Sequence, residues 1–455
     1  MTAFIPRRTW QGRAGQATLE KASPSAPMTL LPRHKRGLGL ALLATLALSA
    51  CAEDKPLNTF EPRGPQARII DDLARPIWYI MAVVFVLVVG GGIALAIKGR
   101  VKPEDFDYED LPRQTHGNEK LEIGWTIAPA VLLAVISIPM VSTIWKLEEK
   151  NVQGDLDVMV IGRQWWWEYR YDIDGDGFFE DADGDGEIWG VDGEGGDKDD
   201  REWPLNIALD DDDLSVANEL VIPTGSQVDL LITSGDVIHS FWIPRLNGKR
   251  DAVPGRFHTW SLEADEAGKY TGWCTEFCGL SHARMRMSTI ALPPAEFDTW
   301  LDKQIEPAPL PAVVAEGDPA SPEAAGRSLF EQNCVSCHVV RTEGSDEIYP
   351  KDFTPAQLKS GAAPDLTHFA SRSVFAGAIY SQYITVDAND DALDVASYLD
   401  LSENGRFNVA QLKRWISNAP GQKDMAPEDL RGMPAFPALN DQDLDNLVAY
   451  LATLD

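Results

Sequence analysis

The chain predicts a membrane-anchored, multi-domain protein: a two-helix transmembrane hairpin, a β-sandwich or barrel outside the bilayer, and a small all-α C-terminal domain. Three observations carry that reading. Two uncharged runs, 76–97 and 123–145, are each long enough to cross a bilayer. From Leu205 the pattern changes to short alternating segments, ELVIPTGSQVDLLITSGDVIHSFWIP and HTWSLEADEAGKYTGWC, punctuated by Pro-Thr-Gly and Ser-Gly-Asp. Beyond a proline-rich stretch, a Cys-x-x-Cys-His motif precedes a loop-then-helix pattern at the C-terminus. At 455 residues two or three domains are expected, and 44% hydrophobic with 24% charged residues is a globular composition. A formal net charge of −30 argues against nucleic acid, whose phosphates need a basic footprint, and fits a basic soluble partner.

Residues 1–51 read as a leader. Arg33, Lys35 and Arg36 precede an apolar run from Leu38 to Leu48, closed by Leu48-Ser49-Ala50-Cys51. A basic segment, a short apolar core and small residues at its end make a secretory signal rather than a span. The tetrapeptide resembles a bacterial lipoprotein box, which would leave Cys51 lipid-modified. Cleavage nearby, an uncleaved third span and a start at Met28 are the alternatives.

Residues 52–150 hold the hairpin. Lys98, Arg100, Lys102, Arg113 and Lys120 fall between the spans, as the positive-inside bias requires of a cytoplasmic loop. An even number of spans after an exported start places the long C-terminal part outside the cytoplasm. Glu122 lies at the cytoplasmic mouth of the second span, where a carboxylate is either functional or an ordinary interfacial charge.

Residues 151–303 form the external head. DVMVIGRQWWWEYRY reads as a strand rich in aromatic residues. An acidic insertion, 172–201, follows with thirteen acidic and two basic residues. Within it Asp172, Asp174 and Asp176, then Asp181, Asp183 and Asp185, alternate ahead of a glycine as in the opening of an EF-hand loop, which predicts calcium. The twelfth positions are aspartate, the loops overlap and flanking helices are not evident, so a disordered acidic loop is the competing reading.

The head's densest chemistry is GWCTEFCGLSHARMRM. Cys274, Cys278, His282 and Met285 follow at spacings of four, four and three, and His239 lies 35 residues upstream. Thiolate, imidazole and thioether are soft or borderline ligands that suit copper far better than calcium or magnesium. Two thiolates on one tight loop can bridge a pair of metals. A disulfide between Cys274 and Cys278 would leave both histidines and the methionine unexplained.

Prolines 307, 309, 311, 319 and 322 mark a semi-rigid linker over 304–322. In the domain 323–455, Cys334-x-x-Cys337-His338 is the attachment pattern of a c-type haem, with two thioether bonds and histidine as axial ligand. Met433, ahead of Pro434 and a terminal helix that Asn440 can cap, is the expected second axial ligand. Met425 and His368 are the competitors. The stretch 380–401 reads as an acidic surface insertion.

Cys-x3-Cys-x3-His-x2-Met with a histidine on an earlier strand closely resembles the dinuclear CuA site of cytochrome c oxidase subunit II. DLTHFASR and GMPAF resemble the cytochrome domains fused to that subunit in some bacteria. The resemblance covers nearly the whole chain from the first span, interrupted by the two acidic insertions. It implies a cupredoxin-like head and a class I cytochrome c domain. One copper would take His239 and Met285, the other His282 and the carbonyl of Glu276, with Cys274 and Cys278 bridging. The Glu276 side chain would reach a magnesium ion shared with the catalytic subunit. Trp165 would be the electron-input residue, and Glu122 would mark the entrance of a proton channel in that subunit.

The resemblance further implies electron transfer from a soluble or membrane-bound cytochrome, through haem c and CuA, to an oxygen-reducing, proton-pumping subunit I, with subunit III alongside. The site would be a bacterial inner membrane, with the CuA and cytochrome domains periplasmic. A CuA subunit of a related nitric oxide reductase would share the hairpin and the head, and only the partner's active site separates the two. A membrane-tethered electron shuttle would need no partner, which leaves Glu122 and Glu276 without a purpose.

Overall fold

The computed structural model describes residues 57–100, 116–148, 156–173, 214–308, 321–341, 363–384, 398–399, 401, 405–429 and 431–455. The leader with Cys51, most of the acidic insertion with Asp174, Asp176, Asp181, Asp183 and Asp185, and most of the proline-rich linker lie outside the described residues.

Both predicted spans are helices, Pro65–Lys98 and Glu119–Glu148. Their most apolar windows have mean hydropathies of 2.8 and 2.2, and no part of either is buried within the chain. Such surface is covered only by lipid or by partner helices. The first helix begins eleven residues before the apolar run, at a proline suited to the first helical position. Hydropathy marks the lipid-facing part, whereas this polar extension packs on the head. Arg63 N donates to the Arg245 carbonyl at 2.7 Å, Ala67 N to the Leu246 carbonyl at 3.2 Å, and Asp265 N to the Arg63 carbonyl at 2.8 Å.

The head is the expected β-rich, cupredoxin-like domain. β1 (Leu156–Arg163) pairs antiparallel with β2 (Trp166–Asp172) and parallel with β5 (Val228–Ser234). β3 (Leu214–Ala217) and β8 (His258–Leu262) complete a five-stranded sheet in the order β3-β2-β1-β5-β8. A second sheet takes the order β4-β10-β9, from Glu219–Pro223, Arg286–Leu292 and Gly268–Trp273. A short pair, β6 (His239–Phe241) with β7 (Arg250–Ala252), carries the upstream histidine. Trp167, Tyr169, Leu220 and Ile290, all essentially without solvent contact, belong to one core cluster drawn from both main sheets. Tyr171 ties the sheets directly: its hydroxyl donates to the Val221 carbonyl at 2.9 Å and accepts from Val221 N at 2.8 Å. This satisfies a buried phenol and the backbone of a buried strand position together.

The C-terminal domain is built on two packed helices, Pro322–Asn333 and Asp441–Leu451, with Val409–Ser417 against the second. Phe330 and Tyr450 meet at 5.4 Å between ring centroids. Asn440 caps the terminal helix in a capping box with Asp443. Of the stretch 380–401, the acidic run 388–394 lies outside the described residues. At its described ends, Tyr383, Tyr398 and Leu401 are buried in the head's own core cluster.

Candidate metal centre

The copper-type ligands converge. His239 is carried by β6, and Thr275 N donates to the Ser240 carbonyl at 3.0 Å while Cys274 N donates to the Met285 carbonyl at 3.0 Å. These bonds fold the cysteine loop back over the histidine strand. His239 Nδ1 lies 3.2 Å from Met285 Sδ and 3.8 Å from Cys274 Sγ. Cys278 Sγ lies 3.7 Å from Cys274 Sγ, 3.6 Å from His282 Nδ1 and 3.8 Å from Met285 Sδ. The Glu276 carbonyl oxygen is 3.2 Å from Cys274 Sγ. A disulfide requires about 2.05 Å between sulfurs, so this pair is free thiol or thiolate. His239, Cys274 and Cys278 are buried together with donor atoms within 4.8 Å of one another. Two sulfurs between two imidazoles, with a thioether and a carbonyl on the flanks, is a donor set that fits soft metal ions and excludes hard ones.

The two thiols are electrostatically coupled. The hydrogen bond between the cysteines, opposed by burial and aided by His239, holds the Cys274 thiol down at about 4. That same pairing, with burial, pushes Cys278 up. The two share a proton, and one of the pair is already a thiolate.

Three supporting residues escaped the sequence reading. Asp236 Oδ1 lies 2.7 Å from His239 Nε2, which orients the imidazole and turns Nδ1 toward the sulfurs. Its only sequence signal is its place three residues ahead of the histidine. Asp236 also accepts from Gln164 N at 2.6 Å, and Gln164 Nε2 donates to the Cys278 carbonyl at 2.7 Å. The third is Gly162, where an added Cβ would meet the His239 ring at 2.8 Å. Gly162→Ala is expected to displace that ring and lower copper affinity roughly 10–100-fold, the range for a disturbed supporting shell. Chelator competition on the purified protein measures this, and unchanged affinity would refute the role given to Gly162.

Trp165 is 3% exposed, and its indole Nε1 donates to the Cys278 carbonyl at 3.0 Å. Trp166 is half-buried beneath the Arg163 guanidinium, and Trp167 is core, edge-on to His239 at 5.9 Å. Glu122 is exposed in the first turn of the second long helix, and the Glu276 side chain is exposed on the copper loop. Asp172, the one described member of the calcium pattern, ends β2 opposite Asp157. Burial, then the charges of Asp229 and Asp172, raise the Asp157 carboxyl.

A second site lies in the C-terminal domain. Cys334, Cys337, His338 and Met433 line one cavity of about 360 Å³, walled mainly by apolar side chains such as Phe330, Phe375 and Leu447. His338 Nδ1 donates to the Pro364 carbonyl at 2.8 Å, which leaves Nε2 for a ligand. Burial lowers the His338 pKa, so the ring is the neutral form a metal needs. Arg372 lines the cavity with Nε lacking any hydrogen-bond partner among the described residues, a vacant donor that an acidic ligand group would satisfy. An apolar slot with two thiols, a directed imidazole and a guanidinium that keeps one donor unpaired among the described residues fits a haem. Met425 also borders the cavity but packs with the head's core, whereas Met433 packs with the core around Cys334. His368 is 3% exposed and shares a 2.7 Å hydrogen bond with the carbonyl of Glu306, the residue that follows the helix Pro294–Ile305, so it ties the end of that helix to this domain.

Comparison with known proteins places these sites in context. The family description "cytochrome C oxidase subunit II, periplasmic domain" matches residues 205–291, and its transmembrane counterpart matches 57–142. The chain is 30% identical over 437 residues to cytochrome c oxidase subunit 2 of Alkalihalophilus pseudofirmus, covering 94% of this chain and 99% of that one. It is 29% identical to the subunit of the same name from Bacillus sp. strain PS3, covering 76% and 77%. Among solved structures, the periplasmic domain of subunit II of cytochrome oxidase from Bradyrhizobium japonicum is 23% identical, with a TM-score of 0.25, covering 33% of this chain and 94% of that one.

Proposed function

The chain belongs to the cytochrome c oxidase subunit II family, a membrane-anchored component of an oxidoreductase complex, and on that premise we propose that it is an electron-input subunit carrying its own haem c. The family implies copper in the head and catalytic partner subunits in the membrane. The carrying observation is the convergence of two cysteines, two histidines and a methionine beside a second, haem-type cavity in the same chain. When bound, haem c and a thiolate-bridged copper pair would supply one-electron transfer with little reorganisation, from a cytochrome donor to an oxygen-reducing, proton-pumping subunit I.

The chain's own residues do the holding. His239, Cys274, Cys278, His282, Met285 and the Glu276 carbonyl would hold the copper pair. Cys334 and Cys337 would hold the haem covalently, with His338 and Met433 axial. A match running over 94% of the chain necessarily extends into this C-terminal region, which supports a domain shared with that relative. The exposed Glu276 carboxylate is free to meet magnesium at a partner surface, and exposed Glu122 to stand at a proton entrance. The net charge of −30 supports a basic donor. Lipidation at Cys51, calcium at the acidic insertion and contact with subunit III complete the reading.

Met433→Ala is expected to lower the haem's reduction potential and open its sixth position, while Met425→Ala leaves both unchanged. Potentiometric titration with carbon monoxide binding separates the two methionines. The reading as a whole is tested on the complex purified in mild detergent. A mixed-valence dinuclear copper signal, a c-type haem spectrum and oxygen turnover are expected. Nitric oxide turnover without oxidase activity, or both centres in a protein without a partner, would overturn it.

A further inference from the structure

The C-terminal domain is fastened onto the copper loop at several points. Ser281 Oγ donates to the Asp424 carbonyl at 2.6 Å, the Arg284 guanidinium donates to the Gln422 carbonyl, and Arg286 N donates to the Gly377 carbonyl at 3.1 Å. These three bonds grip the turn that bears His282 and Met285. At their centre lies Lys423, 2% exposed. Its Nζ donates to the Trp165 carbonyl of the head at 2.7 Å and to the Ala376 carbonyl of its own domain at 3.0 Å. No carboxylate pairs with it among the described residues. A buried amine with no carboxylate beside it is costly to keep, and here it links two backbones.

The partner segment is shaped to that link. Ala376, Gly377 and Ala378 all take left-handed backbone angles, with φ of 58°, 75° and 56°. A Cβ at Gly377 would overlap both the Lys423 amine and the Trp165 carbonyl. On the far side of the same junction, Glu219 of the head, wholly buried, accepts from Ser373 N at 2.9 Å and from the Ser373 hydroxyl. Trp165 thus has one edge on the haem-type cavity and its indole N–H on the carbonyl of a copper-ligand cysteine.

We propose that Lys423 is a positioning residue that clamps the C-terminal domain over Trp165, closing the copper head to soluble redox proteins so that electrons reach it only through the domain's own cavity. The proposal rests on the haem and copper reading above. The step it would govern is the transfer of a single electron from a haem held by Cys334, Cys337 and His338 to copper held by Cys274 and Cys278, in which no bond or proton would move.

The test uses the full chain in its complex, as wild type and as Lys423→Met, which fills the space without donating. Backbone hydrogen exchange over residues 163–167 is read first, in protein with and without metal. Stopped-flow reduction by reduced soluble cytochrome c is read second. Wild type is expected to show haem reduced before copper and slow exchange. In the variant, exchange rises roughly tenfold or more, as for local opening, and part of the copper is reduced directly, ahead of the haem. Arg284→Ala, an exposed change, moves exchange in the same direction and serves if Lys423→Met does not fold. Unchanged exchange, or copper still reduced only after haem in the variant, overturns the clamp. Absence of either centre's spectrum in wild type would instead sink the functional reading, and the exchange measurement on metal-free chain still decides the clamp.

Discussion

Cys278→Ser is expected to abolish the dinuclear copper signal and reduce oxygen uptake of the assembled complex by more than about a hundredfold, beyond the range for residues that only orient the ligands. Cys278 Sγ is the hub of the ligand set, within 3.8 Å of a second thiol, an imidazole and a thioether. A serine hydroxyl stays protonated at neutral pH and is too hard a donor to bridge soft ions. The substitution isolates the sulfur, because the Cys278 carbonyl that accepts from Gln164 and Trp165 is retained. Elemental analysis with EPR checks it: at most one copper per chain and no mixed-valence spectrum. Two coppers with the native spectrum would remove Cys278 from the site.

Glu168→Gln is expected to destabilise the head by about 3–5 kcal/mol, the usual cost of breaking a buried ion pair from one side. Glu168 is 4% exposed and lies between Arg163 Nε at 2.5 Å and Arg170 Nε at 2.7 Å. Burial by itself would raise this carboxyl, but the two guanidinium charges and their hydrogen bonds outweigh it and hold the pKa down at about 2. Without the carboxylate, two buried cations face each other, and Arg163 Nη1 already lacks a hydrogen-bond partner among the described residues. The sign with pH follows. The folded pKa lies below the ordinary 4.5, so the stabilisation is complete above about 4.5 and is lost as pH falls toward 2. Thermal unfolding of the detergent-solubilised chain, followed by tryptophan emission, should show wild type losing stability over that window and Glu168→Gln showing a flatter profile. Equal midpoints at neutral pH would refute the triad's role.

The same triad brackets the Gln164–Trp165 tip of the β1–β2 hairpin, since Arg163 and Glu168 flank it in sequence. A destabilised triad is therefore expected to loosen the tip that reaches Cys278. The effect on stability and the effect on the copper site share one physical origin.

What the sequence determined by itself is local. The cysteine loop could be read because Cys274, Cys278, His282 and Met285 lie on one short segment, where spacing alone brings donor atoms near one another. The Cys334-x-x-Cys337-His338 motif was legible for the same reason, and so were the two spans, whose apolar surface has no other use. The alternation of 219–234 also sufficed to expect a β-sandwich.

Tertiary structure alone decided the rest, because those contacts join segments whose separation encodes nothing. Asp236 orients His239 from a turn that reads as an ordinary loop. Gly162 is needed only because another strand lays an imidazole over it. Trp165 was expected as an electron-input residue, but its carbonyl accepts from Lys423, 258 residues away in sequence. Likewise the burial of Tyr398 and Leu401 in the head's core joins segments far apart in sequence. A metal motif is written into the chain because the ligands must be near in sequence to share a loop. A domain junction is not, because its complementarity exists only between two surfaces that have already folded.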